Sequence, residues 1–446
     1  MSTVTSYALV TEDPACSAHI ALVVDGDQGE LELKCGEATA SDSGQQIPGR
    51  DEYIYHFRVS GLSSDTVYEV TVDGLLDAEI KTAPYYLPEE GVRIVAIGDP
   101  HVELDSSNMP CMDDPSDMDD VTAEKPDYFL IAGDGVYAST DGEFSSSNGE
   151  KWITAFRDYF SKIKQGKRLI PIFYTPGNHD VGNHNWDGTG STSPFETYFN
   201  VFCPNNQDMG QSGNNNASSM LGNWCQLLAI DTHSARASET REWMDDGVIN
   251  PQVPVVIPFY HSPLCSADIR LSNDLALQEN LRNAVFRAFH EHSNVRFGFS
   301  GHIHTRTRTK RLTVTEEEPA GDYFELTDPD GNNEGYVVVT GSGGFTEIGQ
   351  GYRKGRTDGN KTLWFLEYAD NSEYNWNVVD ITPDEVKVKT RGHGDKTYWT
   401  RTHEIAAPRP PGEQYGDIYR PTSDGWEKTE ITAQVHHLTP EMEWDR

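Results

Sequence analysis

The sequence has no long apolar run and few cysteines for its length. No segment approaches the roughly 20 consecutive apolar residues that a membrane-spanning helix needs, so we expect no membrane association. The six cysteines are scattered along 446 residues and form no CxxC pair, which argues against a thiolate zinc site. Their even number permits three disulfides but indicates no pairing.

Positive charge is also scarce. The chain has 35 Lys and Arg against 71 Asp and Glu, for a formal net charge of −36. Such a surface repels nucleic-acid backbones and anionic lipids, so we expect neither as a partner. An anionic substrate would have to be attracted locally, which bound metal ions could do.

The first residues, MSTVTSYALVTEDPAC, have neither a basic region nor an apolar core of the kind found in signal peptides. We therefore expect a cytoplasmic protein, unless the chain is the processed form of a secreted one. Its length exceeds that of a usual single core and predicts one large domain with at least one smaller one. The sequence carries no indication of oligomeric state.

Short alternating strands are predicted over the N-terminal 88 residues. The runs AHIALVV, YIYHFRV and VYEVTV are separated by turn residues, a pattern typical of an all-β sandwich. The segment GLSSDTVYEVTVDG resembles the loop and strand of a fibronectin type III module, with Tyr68 in the place of the tyrosine-corner residue. We predict such a domain over residues 1–88, with the proline-bearing segment APYYLPEE (83–90) as the linker.

An α/β pattern follows. RIVAIGD, YFLIAGD, LIPIFYTPGNHD, WCQLLAID, VPVVIPFYH and VRFGFSGH are apolar throughout, as expected of central strands covered on both faces. Apolar residues between 152 and 163 fall on one helical face. These features predict a layered α/β domain over residues 89–390, in which later strands could complete a second sheet, and an extended C-terminal tail (391–446) packed on it.

Five of the six apolar strands run into residue types that bind metals. The motifs are GDPH (98–101), GDGVY (133–137), GNHD (177–180), YHSP (260–263) and GHIH (301–304). Functional groups of open α/β sheets gather beyond the carboxyl ends of the strands, so we expect these motifs to converge. An Asp-x-His step can bind one ion with both side chains, and a preceding glycine lets the backbone turn sharply.

The ligand types indicate the metal and its role. Carboxylate, amide oxygen and imidazole together suit zinc, manganese or iron, and a site without thiolates is typical of catalysis rather than structure. A carboxylate such as Asp134 can bridge two ions, and two ions about 3.5–4 Å apart can clamp a phosphate and activate water. We therefore expect two divalent or trivalent ions, with Fe, Mn or Zn as the candidates.

The five motifs in this order resemble the calcineurin-like metallophosphoesterase superfamily, and GDxxY with the preceding β-sandwich resembles purple acid phosphatases. The resemblance implies a two-sheet α/β/β/α sandwich and hydrolysis of small phosphomonoesters by a metal-bound hydroxide at a dinuclear centre. A phosphodiesterase or nucleotide hydrolase with the same centre is an alternative. A non-catalytic binding protein with a degenerate site is disfavoured, because no motif has lost a plausible ligand.

The resemblance also implies roles for individual residues. The first metal would be held by Asp99, Asp134 and His304, and the second by Asp134, Asn178, His261 and His302. His179 would contact the phosphate or donate a proton to the leaving group, and Asp180 would orient His179. Asn178 and His179 would thus line the substrate site.

Two residues beside the first metal depart from the family pattern. Purple acid phosphatases usually have glycine where this chain has His101, whereas the wider superfamily has that histidine but generally lacks the tyrosine at Tyr137. Either the site has an extra protein ligand or one of the two does not bind the metal. We favour His101 as the ligand. A tyrosinate bound to ferric iron would give a purple colour.

Two further patterns have ordinary interpretations. Asn216-Ala217-Ser218 and Asn360-Lys361-Thr362 match the glycosylation acceptor, which has meaning only in a secreted protein. Asp231 follows the fourth apolar strand, and we interpret it as an ordinary strand end.

Overall fold

The computed structural model describes most of the N-terminal two thirds of the chain and parts of the remainder. The described residues are 4–102, 112, 115–137, 146–181, 194–204, 215–232, 237–263, 285, 288–289, 292, 294–302, 306–309, 313–314, 326–327, 337–340, 357–358, 361–362, 366–370, 374–392, 396–404, 418–422 and 425–429.

Eight strands form the N-terminal module. They are β1 (Val4–Leu9), β2 (Ser17–Asp25), β3 (Leu31–Cys35), β4 (Ala38–Asp42), β5 (Gln45–Gln46), β6 (Glu52–Ser60), β7 (Val67–Val72) and β8 (Leu76–Lys81). Their alternating side chains enclose a core of their own that includes Leu33, Phe57 and Val70. The Tyr68 hydroxyl accepts a hydrogen bond from the Ser63 main-chain N–H at 2.7 Å, as a tyrosine corner does. The all-β module fits the fibronectin type III-like prediction.

The remaining strands follow in chain order. They are β9 (Val92–Ile97), β10 (Tyr128–Ala132), β11 (Lys164–Gln165), β12 (Arg168–Leu169), β13 (Pro171–Thr175), β14 (Ala217–Leu221), β15 (Cys225–Ile230), β16 (Val255–Tyr260), β17 (Phe297–Ser300), β18 (Arg306–Thr309), β19 (Thr313–Val314), β20 (Leu326–Thr327), β21 (Val337–Thr340), β22 (Thr357–Asp358), β23 (Lys361–Thr362), β24 (Leu366–Asp370), β25 (Asn375–Ile381), β26 (Glu385–Gly392), β27 (Lys396–Glu404), β28 (Ile418–Thr422) and β29 (Gly425–Thr429).

Two large sheets face each other across the core of the α/β part. One has the order β27-β26-β25-β9-β10-β13-β1-β2-β6-β5, and the other has the order β14-β15-β16-β17-β21-β18-β24. Apolar side chains fill the space between them, among them Ile94 and Leu130 from the first sheet and Leu227 and Ile257 from the second. This arrangement keeps the central strands buried on both faces, as the unbroken apolar runs predicted.

Helices cover the outer faces of both sheets. The α-helices of the described chain are Asp117–Thr122, Ser146–Thr154, Asn178–Val181, Pro194–Phe202 and Ala237–Asp245, and the second continues as the π-helix Ala155–Tyr159 and the 3₁₀ turn Phe160–Lys162. Trp152, Phe156 and Phe160 pack against the first sheet, and Trp243 packs against the second. The layers therefore follow the order α/β/β/α, and the predicted fold class is confirmed.

The N-terminal module shares a sheet with the α/β part. Strand β1 pairs in parallel with β13, with Leu9 opposite Ile172, and β8 pairs with β12. The expected linker is fixed as well, because Pro84 O accepts a hydrogen bond from the Trp224 indole N–H at 3.0 Å. The two units predicted at 1–88 and 89–390 are thus joined by main-chain hydrogen bonds across their boundary.

The C-terminal segment contributes strands of its own. Strand β25 pairs antiparallel with β9, β26 with β25, and β27 with β26. Strand β27 lies beyond residue 391, where the sequence suggested only an extended tail, and β28 forms a hairpin with β29. The Lys396–Glu404 sequence has no apolar period, so its strand is recognisable from the main-chain ladder and not from its pattern.

The first of the two glycosylation-acceptor asparagines lies inside the protein. The Asn216 side chain is buried; its amide donates to Thr240 Oγ1 at 2.9 Å, and its oxygen accepts from the Asp231 N–H at 2.7 Å. In this structure it is therefore inaccessible to glycosylation. Asn360 lies outside the described residues.

Within the part of the chain that the structure describes, no helix is long and apolar enough to cross a membrane.

A histidine pair connects the N-terminal module to the helix Pro194–Phe202. His56 Nε2 lies 2.8 Å from Val201 O, and because a carbonyl oxygen only accepts, this nitrogen carries the proton. In the neutral ring, His56 Nδ1 accepts from His19 Nε2, 2.9 Å away. The Tyr7 hydroxyl also donates to Phe202 O at 2.9 Å. The neutral His56 ring thus satisfies both contacts.

This pair predicts an acid-sensitive contribution to stability. Burial lowers the pKa of His56 from 6.5 to about 4, so the unfolded chain binds a proton at a higher pH than the folded chain. The contribution is complete above pH 6.5 and is lost as the pH falls from 6.5 towards 4. In denaturant titrations at several pH values, the free energy of unfolding should fall more steeply for the wild type than for His56→Gln. Parallel curves would contradict this prediction.

Candidate metal centre

Five candidate ligands meet at the carboxyl ends of the central strands. The side-chain donor atoms of Asp99, His101 and Asp134 form one group, and those of Asp134, His261 and His302 form a second. Within each group the donor atoms lie within 4.8 Å of one another. Asp134 belongs to both groups, which is the position that a carboxylate bridging two ions would occupy.

The backbone around these residues is strained. Among the described residues six non-glycine residues have a positive φ, and four of them are Asp99 (51°), His101 (45°), Asp134 (52°) and His302 (72°). Such conformations cost about 1–3 kcal/mol each and persist only where the surrounding structure holds them. Main-chain hydrogen bonds beyond the strand ends do so here, for example from Asp99 N to Gly133 O at 3.1 Å and from His101 N to Asp134 O at 3.0 Å.

The glycines of the motifs make room for the side chains of candidate ligands. At three positions a Cβ atom would overlap a neighbouring candidate ligand. These are Gly133 against the His261 ring, Gly177 against the Asp134 carboxylate and Gly301 against the Asp99 carboxylate. The sequence suggested that each glycine allows a sharp turn, but of the three only Gly133 has a positive φ. Clearance for the neighbouring side chain is therefore the common requirement.

The hydrogen bonds of His261 determine which of its nitrogens can bind a metal. Its Nδ1 lies 2.9 Å from Ala132 O, so Nδ1 carries a proton and Nε2 presents a lone pair in the neutral ring. Nε2 lies 3.1 Å from Asp134 Oδ2, 3.1 Å from Asn178 Oδ1 and 3.2 Å from His302 Nδ1. Electron-rich atoms this close need positive charge among them, and their types fit Fe, Mn or Zn.

The electrostatics of the centre favour bound cations. Burial acts to raise the pKa of Asp134, but the imidazoles of His261 and His179 hold it well below its usual value. Burial acts to lower the pKa values of His101 and His261, but Asp134 and Asp99 raise both to about 9. The buried carboxylates therefore attract positive charge strongly, whether it comes from protons or from metal ions.

Aromatic contacts surround His179. Its ring is stacked on Tyr137, with 4.1 Å between centroids and 28° between planes, and lies 5.2 Å from the His101 ring. Its Nε2 is 4.0 Å from Asp134 Oδ2, and its side chain is 21% exposed. The Tyr137 main-chain oxygen accepts from Lys151 Nζ at 2.8 Å. His179 is thus beside the two donor groups and reachable from solvent.

The other predicted residues are found in different surroundings. Asn178 Oδ1 lies 2.9 Å from His302 Nδ1, at the second donor group. Asp180 is completely buried and accepts hydrogen bonds from main-chain N–H groups. His304 lies outside the described residues. Sequence reasoning missed Tyr174 and Lys151, because a tyrosine within an apolar strand and a lysine within a helix carry no signal of a nearby site.

Comparison with known proteins supports this description. The family model for calcineurin-like phosphoesterases matches residues 92–306, which contain all five motifs completely. A structure of a purple acid phosphatase from yellow lupin (Lupinus luteus) seeds is similar to this chain, with a TM-score of 0.65 and 15% identity. The match covers 90% of this chain and 74% of the lupin chain. At that identity the likeness shows the fold alone.

Two smaller structures match with lower scores. A conserved uncharacterized protein (predicted phosphoesterase) from Streptococcus pneumoniae has a TM-score of 0.26 and 10% identity, with 70% of this chain and 97% of that chain covered. Vacuolar Protein Sorting 29 from Cryptosporidium parvum has a TM-score of 0.27 and 10% identity, with 71% of this chain and 99% of that chain covered. No curated protein sequence matched the chain.

Because Asp134 belongs to both donor groups, we predict that its substitution causes loss of bound metal. Asp134→Asn removes the negative charge common to both donor groups, so the purified protein should lose most of its bound metal by elemental analysis. Asp119→Asn is the matched control, because the Asp119 side chain is 63% exposed and pairs with Lys162. It should keep the wild-type metal content. Wild-type loading in Asp134→Asn would show that Asp134 is not a ligand.

Proposed function

We propose that this chain, whose residues 92–306 form a calcineurin-like phosphoesterase domain, hydrolyses small phosphate monoesters at a centre of two metal ions. The observation that carries the proposal is the position of Asp134, whose carboxylate belongs to two groups of buried donor atoms. Two-metal centres of this kind are a common solution for hydrolysis of phosphate esters.

The proposed ligands divide between the two donor groups. Asp99, His101 and Asp134, with His304, would hold the first ion, and Asp134, Asn178, His261 and His302 would hold the second. When bound, the ions neutralise phosphate charge and lower the pKa of a water molecule. The protein orients the ligands, as the bond between His261 Nδ1 and Ala132 O illustrates.

His179 is the proposed contact to the substrate. Its partly exposed ring lies beside Asp134, and stacking on Tyr137 limits its rotation. From this position its imidazole can hydrogen-bond a phosphate oxygen or donate a proton to the leaving oxygen. Asn178, next to it in the chain, would contribute an amide to the same side of the pocket.

Two observations favour the monoesterase over its alternatives. The yellow lupin protein that shares this fold over most of the chain is a purple acid phosphatase, which supports the monoester as substrate. A phosphodiesterase or nucleotide hydrolase would use the same ligands and is distinguished by its substrates. The strained backbone at four candidate ligands disfavours a non-catalytic protein, because such strain is typical of functional sites.

Substrate tests address the proposed reaction directly. The metal-loaded protein should hydrolyse para-nitrophenyl phosphate with a higher kcat/KM than bis-para-nitrophenyl phosphate. His179→Ala should lower kcat for the monoester by about 10²–10⁴-fold, as expected for loss of a general acid, without loss of metal. His56→Gln, in the N-terminal module, is the matched histidine control. Preference for the diester would replace the monoesterase with a diesterase.

The role of Tyr137 can be tested separately. We propose that Tyr137 contributes its ring to the stack on His179, and that His101 is the ligand of the first ion. Tyr137→Phe keeps the ring and removes the hydroxyl, so it should preserve kcat, metal content and the visible spectrum of the iron-loaded protein. Tyr137→Ala should lower kcat. If Tyr137→Phe abolishes a purple absorption band, then Tyr137 is a ligand.

A further inference from the structure

The Asp180 carboxylate is completely buried next to the metal centre and receives four hydrogen bonds. Its Oδ2 accepts from the N–H groups of Asp134 at 2.7 Å and Gly177 at 2.8 Å. Its Oδ1 accepts from the Val136 N–H at 3.1 Å and from the Tyr174 hydroxyl at 2.6 Å. Each carboxylate oxygen therefore has two donors.

Tyr174 links Asp180 to Gly135, the residue between Asp134 and Val136. The Tyr174 hydroxyl accepts from the Gly135 N–H at 2.6 Å while it donates to Asp180. Three consecutive main-chain N–H groups, at positions 134, 135 and 136, thus bind Asp180 directly or through Tyr174. A run of converging N–H groups forms a concavity for an anion, and here the anion belongs to the protein itself.

The interaction between residues 134–136 and the segment 177–180 is reciprocal. The His179 N–H donates to Asp134 Oδ1 at 2.8 Å, while the Asp134 N–H donates to Asp180. With Oδ1 bound in this way, Asp134 Oδ2 faces the imidazoles, 3.1 Å from His261 Nε2 and 3.5 Å from His101 Nε2. The same contacts therefore determine which oxygen of Asp134 faces both donor groups.

Glycines permit the close approach of these segments. A Cβ atom at Gly135 would overlap the Tyr174 hydroxyl, and one at Gly177 would overlap the Asp134 carboxylate. The left-handed conformation of Asp134 is held at its own N–H by Asp180. The conformation of the shared ligand thus depends on a carboxylate that is not itself in either donor group.

We propose that Asp180, with Tyr174, is a positioning residue for the metal centre. It holds the main chain of residues 134–136 so that the Asp134 carboxylate faces both donor groups. This inference rests on the proposed function, because it takes Asp134 as a metal ligand. It differs from the sequence prediction, in which Asp180 orients the His179 ring. The hydrogen bonds that carry it run to main-chain N–H groups and to Tyr174.

Asp180→Asn is the informative substitution. Asparagine has the same shape, but its amide group would face two donors on whichever side it lies, so the 134–136 loop would lose part of its support. Loss of a residue that orients metal ligands typically weakens metal affinity by about 10–100-fold. We expect that loss for Mn²⁺ measured by titration calorimetry on the chelator-stripped protein.

A matched control separates this role from general stability. Asp13 is also a buried carboxylate that accepts a turn N–H, from Ala15 at 3.2 Å, but it lies in the N-terminal module. Asp13→Asn should lower the Tm without changing Mn²⁺ affinity. Tyr174→Phe, which removes one hydroxyl, should weaken Mn²⁺ binding less than Asp180→Asn, and it provides the decisive measurement if Asp180→Asn does not fold.

The outcomes distinguish this inference from the proposed function. The inference is overturned if a folded Asp180→Asn protein binds Mn²⁺ as the wild type does, or if Asp13→Asn weakens binding equally. Where only Tyr174→Phe folds, wild-type affinity in that variant overturns it. Failure of the wild type itself to bind Mn²⁺, Zn²⁺ or Fe²⁺ would instead refute the metal centre. A wild type that binds Mn²⁺ but hydrolyses no phosphate ester refutes the proposed reaction and leaves the role of Asp180 standing.

Discussion

The structure of the centre depends on holding several electron-rich groups together in a buried place. Carboxylate, amide and imidazole atoms around Asp134 lie within hydrogen-bonding distance of one another, which is unfavourable unless positive charge lies among them. Two rigid sheets and the main-chain hydrogen bonds beyond their strand ends hold these groups. The strained conformations at four of the residues are part of the cost of this arrangement.

Much of the fold and of the centre could be predicted from sequence. Continuous apolar runs ending in Asp, Asn or His indicated both the buried strands and the side of the sheet where the candidate ligands gather. The layered α/β/β/α order followed from the resemblance that those motifs carry. Asp99, His101, Asp134, His261 and His302 form the two donor groups, because parallel strands end side by side.

Other features could not be predicted because main-chain hydrogen bonds leave no residue pattern. Nothing in the motif GNHD distinguishes an Asp180 that orients His179 from one that binds the N–H groups of residues 134 and 136. The pairing of β1 with β13 joins segments about 160 residues apart, and strand β27 has no apolar period. In each case the pairing is determined by tertiary structure, which overrides local sequence signals.

The shared ten-stranded sheet has a consequence for how the chain folds. The central strands β9, β10 and β13 are flanked by β1 from the start of the chain and by β25 from residues 375–381. A ribosome must therefore synthesise most of the polypeptide before that sheet can close. Such distant pairings give a high contact order and slow folding, so the loops of the centre acquire their final support late in biogenesis.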